Sequence, residues 1–246
     1  MNKPSFTIVT VTFNAAKVLE TTLKSVASQD YENIQYLIMD GASKDETVQL
    51  AKSYQLQIPN MTICSEPDKG LYDAMNKAIA KATGDYICFL NAGDAFKEKD
   101  TLSRMVDTLP EIIPDVIYGE TEIVDGQGNF LRMRRLNTPE VLNWKSFKQG
   151  MVVCHQAFFA RTALVPHYDM QYRFSADFDW CIRVMKQSKT LHNTHLTLVK
   201  YLQEGLTTQN HKASLKERFR IMAHHYGWFS AVAQHLWFVI RAVLKS

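Results

Sequence analysis

Residues 7–39 read TIVTVTFNAAKVLETTLKSVASQDYENIQYLIM, and this stretch decides the fold. Its first part, Thr7 to Thr12, consists only of β-branched residues, which predicts a buried strand. The segment Ala15 to Ser28 then places its apolar side chains at helical spacing. Ile34 to Met39 predicts a second strand. A strand, a helix and a further strand in this order form the unit from which parallel sheets are built.

The same alternation continues to about residue 90. A second helix is predicted to begin at Asp45, because an acidic residue suits a helix N-terminus. Met61 to Cys64 predicts a third strand and Tyr86 to Leu90 a fourth. Between them Leu71 to Ala82 shows a helical apolar stripe that precedes Gly84. We therefore expect an α/β protein with a Rossmann-like, mostly parallel sheet that is flanked by helices on both faces.

After Pro110 the pattern becomes mixed, and the C-terminus is predicted to be helical. The residues Asp125-Gly126-Gln127-Gly128 predict a tight reversal between two strands. A helix is predicted over Ala176 to Gln187. The other predicted elements are strands at Val116 to Tyr118, Glu122 to Val124, Phe130 to Met133, His155 to Ala160 and Leu196 to Tyr201, and a helix near Pro139 to Phe147.

Composition excludes several classes of protein. The net charge is only +3 and no basic stripe is interleaved with aromatics, so nucleic-acid binding is not indicated. The four cysteines form no C-x-x-C pair, which argues against a zinc or redox motif. The N-terminus lacks the features of a signal peptide, so a cytoplasmic protein is expected. Polar residues interrupt Trp228 to Leu244, which favours a helix that lies in a membrane interface or packs on the domain or on a second subunit.

Polar residues follow each of the four predicted N-terminal strands. Ligands of open parallel sheets bind at the carboxyl ends of the strands, so these residues mark a candidate site. The chain contains neither G-x-G-x-x-G nor G-x-x-x-x-G-K-[ST], so metal or isolated cations would have to neutralise a bound diphosphate. Asp94 is placed to hold Mg²⁺ or Mn²⁺, with an ordinary polar turn as the alternative. The polar segments are 12–14, 40–45, 65–70 and 91–94.

Taken together, these segments resemble the family 2 glycosyltransferases with the GT-A fold, over roughly residues 5 to 205. The resemblance is closest to the bacterial branch that builds capsular and exopolysaccharides. It implies a GT-A domain over residues 1–225, with a nucleotide-binding half (1–110) and an acceptor-binding half (111–225), followed by an amphipathic helical segment (226–246). The matching motifs are TVTFN (10–14), DGAS (40–43), EPDKGLYDAMN (66–76), ATGDYICFLNAGD (82–94) and SADFDW (175–180).

The resemblance also implies roles for single residues. Asp177 takes the position of the catalytic base, and Asp94 that of the metal ligand in the D-x-D motif. The donor nucleotide and its sugar would be bound by Thr10, Phe13, Asn14, Asp40, Ser43, Lys69, Asp73, Asn76 and Asn91. Weaker expectations assign the acceptor to His155, Gln156 and Trp180, and let the segment from Gln203 to Lys212 close over the donor.

The expected function is an inverting, metal-dependent transfer of a sugar from a nucleotide-diphosphate donor to a hydroxyl of a saccharide or lipid-linked acceptor. Peripheral contact with the inner face of the cell membrane and a homo-oligomer are further expectations. Two alternatives stay open. A non-catalytic carbohydrate- or nucleotide-binding protein could share the fold. A nucleotide-sugar pyrophosphorylase would need a glycine-rich loop after the first strand, and the segment Thr12 to Leu19 contains none.

Overall fold

The computed structural model describes residues 3–203 and 211–243. Over these ranges nine strands form one mixed sheet, in the order β3-β2-β1-β4-β8-β6-β9-β5, with β7 paired to β6. The strands are β1 (Phe6–Thr12), β2 (Ile34–Asp40), β3 (Met61–Ser65), β4 (Tyr86–Phe89), β5 (Ala95–Phe96), β6 (Val116–Val124), β7 (Phe130–Met133), β8 (Phe158–Arg161) and β9 (Leu191–Leu202).

The first four strands run parallel, so their carboxyl ends meet at one edge. β8 is antiparallel to both β4 and β6, and it joins this parallel half to β6, β9 and β5. The α-helices are α1 (Ala16–Ala27), α2 (Thr47–Ser53), α3 (Leu71–Ile79), α4 (Thr101–Asp107), α5 (Ala176–Gln187), α6 (His211–Tyr226) and α7 (Trp228–Val243).

Two apolar cores lie on the two faces of this sheet. Side chains alternate between the faces along each strand, so neighbours such as Ile8 and Val9 enter different cores. One core packs α3 and α5 against the sheet and includes the fully buried Trp180. The other packs α1 and α4 and includes Leu23 and Leu102. The predicted α/β architecture with helices on both faces is confirmed.

Several element boundaries differ from the sequence predictions. β6 is one continuous strand where two short strands were expected, because Gly119 lets β9 approach closely. A Cβ added at Gly119 would lie 2.6 Å from the backbone oxygen of Leu196. The helix expected near Pro139 to Phe147 is instead a 3-10 helix over Trp144–Gln149. The strand expected from His155 begins only at Phe158, after a 3-10 turn.

The helical C-terminus is confirmed by α6 and α7. α6 packs on α5, where Glu217 accepts the backbone N–H groups of Arg173 and Phe174 ahead of α5. No helix in residues 3–203 and 211–243 is both long enough and apolar enough to span a bilayer.

Candidate active site

The turns after β1 and β2 interlock at the carboxyl edge of the sheet. Asn14 and Ala42 both have positive φ, at 50° and 60°, a conformation that non-glycine residues adopt rarely. The side-chain oxygen of Asn14 accepts the backbone N–H of Lys44, and the backbone N–H of Asn14 donates to the Ser43 hydroxyl. Such backbone strain is typical of functional loops and persists because the neighbouring turn holds it. The sequence prediction placed Asn14 and Ser43 at this edge, and the structure joins them.

Asp40 is the centre of this pair of turns. Its carboxylate is 3% exposed and accepts hydrogen bonds from the hydroxyls of Thr12, Ser43 and Ser65 and from the Ser43 backbone. Burial alone would raise the pKa of Asp40, but these donors outweigh it and hold the pKa below its ordinary value. An ionised Asp40 therefore organises the pocket edge, and its contact with a nucleoside stays a prediction.

Phe13 and Thr10 differ sharply in exposure. The Phe13 side chain is 68% exposed beside the interlocked turns, so it offers a free aromatic surface. Thr10 is completely buried, and its hydroxyl donates to the carbonyl of Leu90 and pairs with the Tyr36 hydroxyl. This corrects the expectation that Thr10 lines the nucleoside pocket, because its side chain has no open surface.

The segment before α3 is organised by carboxylates. α3 begins at Leu71, after Gly70 with φ of 115°, so Lys69 lies just ahead of the helix. Asp73 accepts the backbone N–H of Lys69 at 3.0 Å, which fixes the entry to the helix. Asp68 packs against Gly41, where an added Cβ would lie 2.6 Å from its Oδ2. The turns after β2 and β3 therefore approach each other closely, and a larger residue at position 41 would require the Asp68 side chain to shift.

Asn76 ties α3 to the segment ahead of α5. Its amide donates to the carbonyl of Tyr168 at 3.0 Å and accepts the Tyr168 N–H at 2.6 Å. The nitrogen and the oxygen of the Asn76 side chain thus both bind the backbone of Tyr168. The predicted contact of Asn76 with the donor sugar is not tested by this arrangement, but the structural role is evident.

Asp94 is a buried carboxylate at the end of β4. It is 4% exposed, and its two oxygens accept the Leu202 backbone N–H and the Gln156 amide, both at 2.9 Å. Burial raises the pKa of Asp94 to about 7, and these two hydrogen bonds only partly oppose the rise. Within the described ranges no basic side chain pairs with Asp94, and a bound cation would stabilise its ionised form.

Asn91 and Gly93 complete the turn that presents Asp94. The Oδ1 atom of Asn91 is buried and has no hydrogen-bond partner among the described residues. Gly93 has φ of 97°, and a Cβ there would lie 2.8 Å from the Leu202 side chain. The orphaned oxygen of Asn91 needs a donor or a cation, because an unpaired buried acceptor is costly.

A hard divalent cation would suit these oxygens if a bound diphosphate supplied its remaining ligands. Nowhere in the described ranges do three or more His, Cys, Asp or Glu side chains gather to form a complete metal site. Mg²⁺ and Mn²⁺ accept oxygen ligands and are commonly held by one carboxylate together with substrate phosphates. The single carboxylate of Asp94, with the Asn91 oxygen nearby in the chain, meets this requirement.

Asp177 lies in the first turn of α5 and is held on one side only. Its Oδ1 accepts the Tyr72 hydroxyl at 3.2 Å and the Phe178 backbone N–H at 2.9 Å. Among the described residues no hydrogen bond reaches Oδ2. One oxygen is therefore fixed while the other is available to accept a proton. Tyr72 cannot be recognised from the sequence as the partner of Asp177, because 105 residues separate them.

A column of aromatic rings supports this carboxylate. Tyr72 stacks on Tyr168 with ring centroids 5.4 Å apart, and Tyr168 stacks on Trp180 at 5.2 Å. The Tyr168 hydroxyl pairs with Nε2 of His155 at 2.7 Å. Because Tyr72 belongs to α3 and Trp180 to α5, the column locks the donor-side helix to the helix that bears Asp177.

The two carboxylates act on a common neighbour. Burial raises the pKa of Tyr201, and the charges of Asp94 and Asp177 raise it further. The guanidinium of Arg134 opposes this rise and donates to the carbonyl of Met151 at 2.8 Å. Electrostatic effects of this kind weaken with distance, so the charges of Asp94, Asp177 and Arg134 are all felt at Tyr201. In the sequence, Arg134 belongs to a short basic cluster with Arg132 and Arg135.

The three expected acceptor residues are buried. Trp180 is 0% exposed and its N–H donates to the Pro166 carbonyl, so it packs in the core and cannot form an acceptor wall. His155 stacks on Phe89, and burial lowers its pKa to about 4. Gln156 supports Asp94 instead of a sugar. The segment expected to close over the donor lies largely outside the described residues, at 204–210.

Comparison with known proteins decides the family. Residues 7–165 match the family described as Glycosyl transferase family 2. The chain belongs to this family. A PGL/p-HBAD biosynthesis glycosyltransferase of Mycobacterium bovis (strain BCG / Pasteur 1173P2) is 32% identical over 211 residues, 83% of this chain and 79% of the relative. The amylovoran biosynthesis glycosyltransferase AmsB of Erwinia amylovora is 29% identical over 76% of this chain and 65% of its own.

Solved structures confirm the GT-A fold of this family 2 glycosyltransferase. Residues 1–349 of TarS from S. aureus superpose with a TM-score of 0.72 at 16% identity, over 95% of this chain and 72% of that chain. TarS in complex with UDP-GlcNAc gives 0.70 at 19% identity, over 89% and 64%. The mannosyltransferase PcManGT from Pyrobaculum calidifontis, in complex with GDP-Man and Mn²⁺, gives 0.61 at 14% identity, over 95% and 74%.

Proposed function

We propose that this glycosyltransferase moves a sugar from a nucleotide-diphosphate donor to an acceptor hydroxyl, with inversion at the anomeric carbon. The observation that carries the proposal is the half-bonded carboxylate of Asp177, together with the buried carboxylate of Asp94. Within residues 3–203 and 211–243, no basic side chain pairs with Asp94 and no hydrogen bond reaches Oδ2 of Asp177. Two such groups fit the two needs of the reaction, which are to stabilise a departing diphosphate and to accept a proton.

The donor would bind along the carboxyl edge of β1 to β4. The exposed ring of Phe13 offers a stacking surface for a base, beside the turns that Asp40 organises. The solved relatives with UDP-GlcNAc and GDP-Man support a nucleotide sugar as the donor class. The exposed Lys69 and the guanidinium of Arg134 are the cations that we assign to the diphosphate.

Asp94 and Asn91 would hold the divalent cation. The relative with GDP-Man and Mn²⁺ supports this assignment. When bound, the cation supplies positive charge against the diphosphate oxygens as they leave. The protein's contribution is to keep the Asp94 carboxylate in place through Gln156 and the Leu202 backbone, and to exclude water from it.

Asp177 would act as the general base. Tyr72 and the Phe178 N–H fix Oδ1, so Oδ2 can take the proton of the acceptor hydroxyl as it attacks the anomeric carbon. Proton transfer to a positioned carboxylate contributes on the order of 10²–10⁴ in rate. A single displacement from the face opposite the leaving group inverts the configuration.

We assign the acceptor to the class of saccharides or lipid-linked saccharides, at the inner face of the cell membrane. The relative named for amylovoran biosynthesis supports a role in surface polysaccharide synthesis. A homo-oligomer stays a prediction. Non-catalytic binding on the same fold is the rival. The available Oδ2 of Asp177 and the buried carboxylate of Asp94 favour catalysis over it.

The test is a panel of nucleotide sugars with Mn²⁺, with and without saccharide acceptors, scored by release of the nucleoside diphosphate. We expect one donor to give metal-dependent release that Asp177→Asn abolishes. Asp107→Asn is the matched control, because Asp107 is an exposed aspartate at the end of α4. Nucleotide binding without release by any donor would favour the non-catalytic alternative.

A further inference from the structure

Large apolar side chains dominate the outward face of α7 among the side chains that the structure describes. Phe229, Leu236 and Ile240 follow one another at helical spacing and are 84%, 61% and 49% exposed. Trp237, at 51% exposed, widens this stripe, and Trp228, at 60%, lies at its beginning. Together the five side chains expose roughly 500 Å², and apolar patches of this size on a single chain usually have a binding function.

The inward face of α7 packs on the domain through apolar and polar side chains. Ala231 is 0% exposed, Phe238 packs against the same core, and His235 packs edge-on against Phe219 of α6. One face of α7 therefore covers the domain, while five large apolar side chains stay exposed on the rest of the helix. Among the described residues nothing covers these five side chains.

A cluster of lysines adjoins the beginning of the stripe. Trp144 stacks on Tyr226 with ring centroids 5.4 Å apart. Lys145 and Lys186 lie 5.7 and 4.9 Å from the centre of the Trp144 ring, and Lys148 lies 5.3 Å from that of Tyr226. Tyr226 is separated from Trp228 by Gly227 alone, so the positive charges and the apolar face meet.

The sequence around these helices is strongly basic. Residues 211–246 contain six Lys or Arg and one Glu, a net charge of +5, while the whole chain has only +3. The rest of the chain therefore has a net charge of −2. Positive charge is concentrated in the same part of the chain as the exposed apolar face.

From this juxtaposition we propose that the α7 face, with Lys145, Lys148 and Lys186, docks on an anionic lipid surface. Tryptophan rings prefer the boundary between headgroups and acyl chains, and lysines are attracted to anionic headgroups. The 16 residues of α7 suit a helix that lies in the plane of the interface. A two-fold contact between copies would bring like-charged regions together, which disfavours a second chain as the occupant.

Co-sedimentation of the full chain with large vesicles tests the proposal. The anionic vesicles contain phosphatidylcholine with about 30% phosphatidylglycerol, and the neutral vesicles contain phosphatidylcholine alone. The expected result is binding to the anionic vesicles that is at least tenfold stronger than to the neutral ones. Added salt should weaken it, because the lysine contribution is screened.

Two sets of variants locate the contact. Phe229→Gln with Leu236→Gln should weaken vesicle binding at least tenfold, and Lys145→Glu with Lys148→Glu should remove the preference for anionic lipid. Leu56→Gln is the matched control, because Leu56 is 99% exposed and lies beyond α2. It should bind as the unaltered chain does. If circular dichroism shows that the double glutamine variant is misfolded, Leu236→Gln alone replaces it.

Three results would overturn the proposal. The unaltered chain would remain in the supernatant with both vesicle types. The glutamine variant would sediment as strongly as the unaltered chain. In the third result, ultracentrifugation shows a dimer that the glutamine substitutions dissociate, and no vesicles are bound. That result would mean that a second copy of the chain covers the face. Vesicle binding requires no turnover, so its failure would leave the proposed transfer reaction intact.

Discussion

Replacing the buried Asp94 by Asn should make the metal-free protein less sensitive to pH. The pKa of Asp94 is raised from 3.8 to about 7 by burial, so the folded state holds a proton that the unfolded state releases. Between these two pKa values stability falls as pH rises, because the unfolded state binds fewer protons. At 1.36 kcal/mol per pKa unit, the cost is about 1.5 kcal/mol at pH 5 and about 4 kcal/mol at pH 8.

The assay is urea unfolding of the unaltered chain and Asp94→Asn at pH 5 and pH 8, with a chelator present. The free energy of unfolding of the variant, relative to the unaltered chain, should increase by about 2.5 kcal/mol from pH 5 to pH 8. Any effect of the altered hydrogen bond to Gln156 cancels in this difference to the extent that it does not depend on pH.

Asp40→Asn is the control for this experiment. The pKa of Asp40 is lowered, so its contribution to stability is lost only as pH falls below its ordinary value of 3.8. The relative stability of Asp40→Asn should therefore stay constant between pH 5 and pH 8. A flat pH dependence for Asp94→Asn as well would refute the assignment of Asp94 as a carboxylate buried without a cation.

Three further predictions follow from the same contacts. Asp94→Asn should abolish the Mn²⁺-stimulated part of nucleotide binding in calorimetry, and undiminished stimulation would place the metal elsewhere. Tyr72→Phe should lower kcat about tenfold at constant donor KM, because the hydroxyl orients the Asp177 carboxylate; a change in KM alone would mean that Tyr72 serves the donor site. Lys97→Met should lower the free energy of unfolding by about 2 kcal/mol, because it strips the ion pair from Glu122, which is 5% exposed. Chemical unfolding checks this, and adding Glu122→Gln should recover most of the loss; no recovery would contradict it.

The sequence predicts the first half of the fold well because each element has a local cause. β1 to β4 are apolar and β-branched runs, and the helices between them have clear apolar stripes. Beyond residue 110 the predictions of β7 and α5 are confirmed, but the local signals are misleading for β6. Gly119 interrupts the apolar run of β6, and only the close approach of β9 shows why glycine belongs inside that strand. α4 and β5 were not predicted, because both are short.

Some residues of the candidate site can be predicted from the sequence and others cannot. Asp94 and Asp177 can be, because each belongs to a motif of consecutive residues. Their supporting residues cannot be, since Gln156 lies 62 positions from Asp94 and Tyr72 lies 105 from Asp177. Trp180 was misassigned for a related reason. A tryptophan beside a base can face either a ligand or the core, and only packing against Tyr168 decides this.

The central claim is that Asp177 accepts the proton of the incoming hydroxyl. It is tested most directly by the single-turnover rate of sugar transfer with Asp177→Asn, at saturating donor and acceptor. We predict a loss of about 10²–10⁴ in that rate, with the affinity for the donor unchanged. Transfer by this variant at the rate of the unaltered chain would contradict the mechanism.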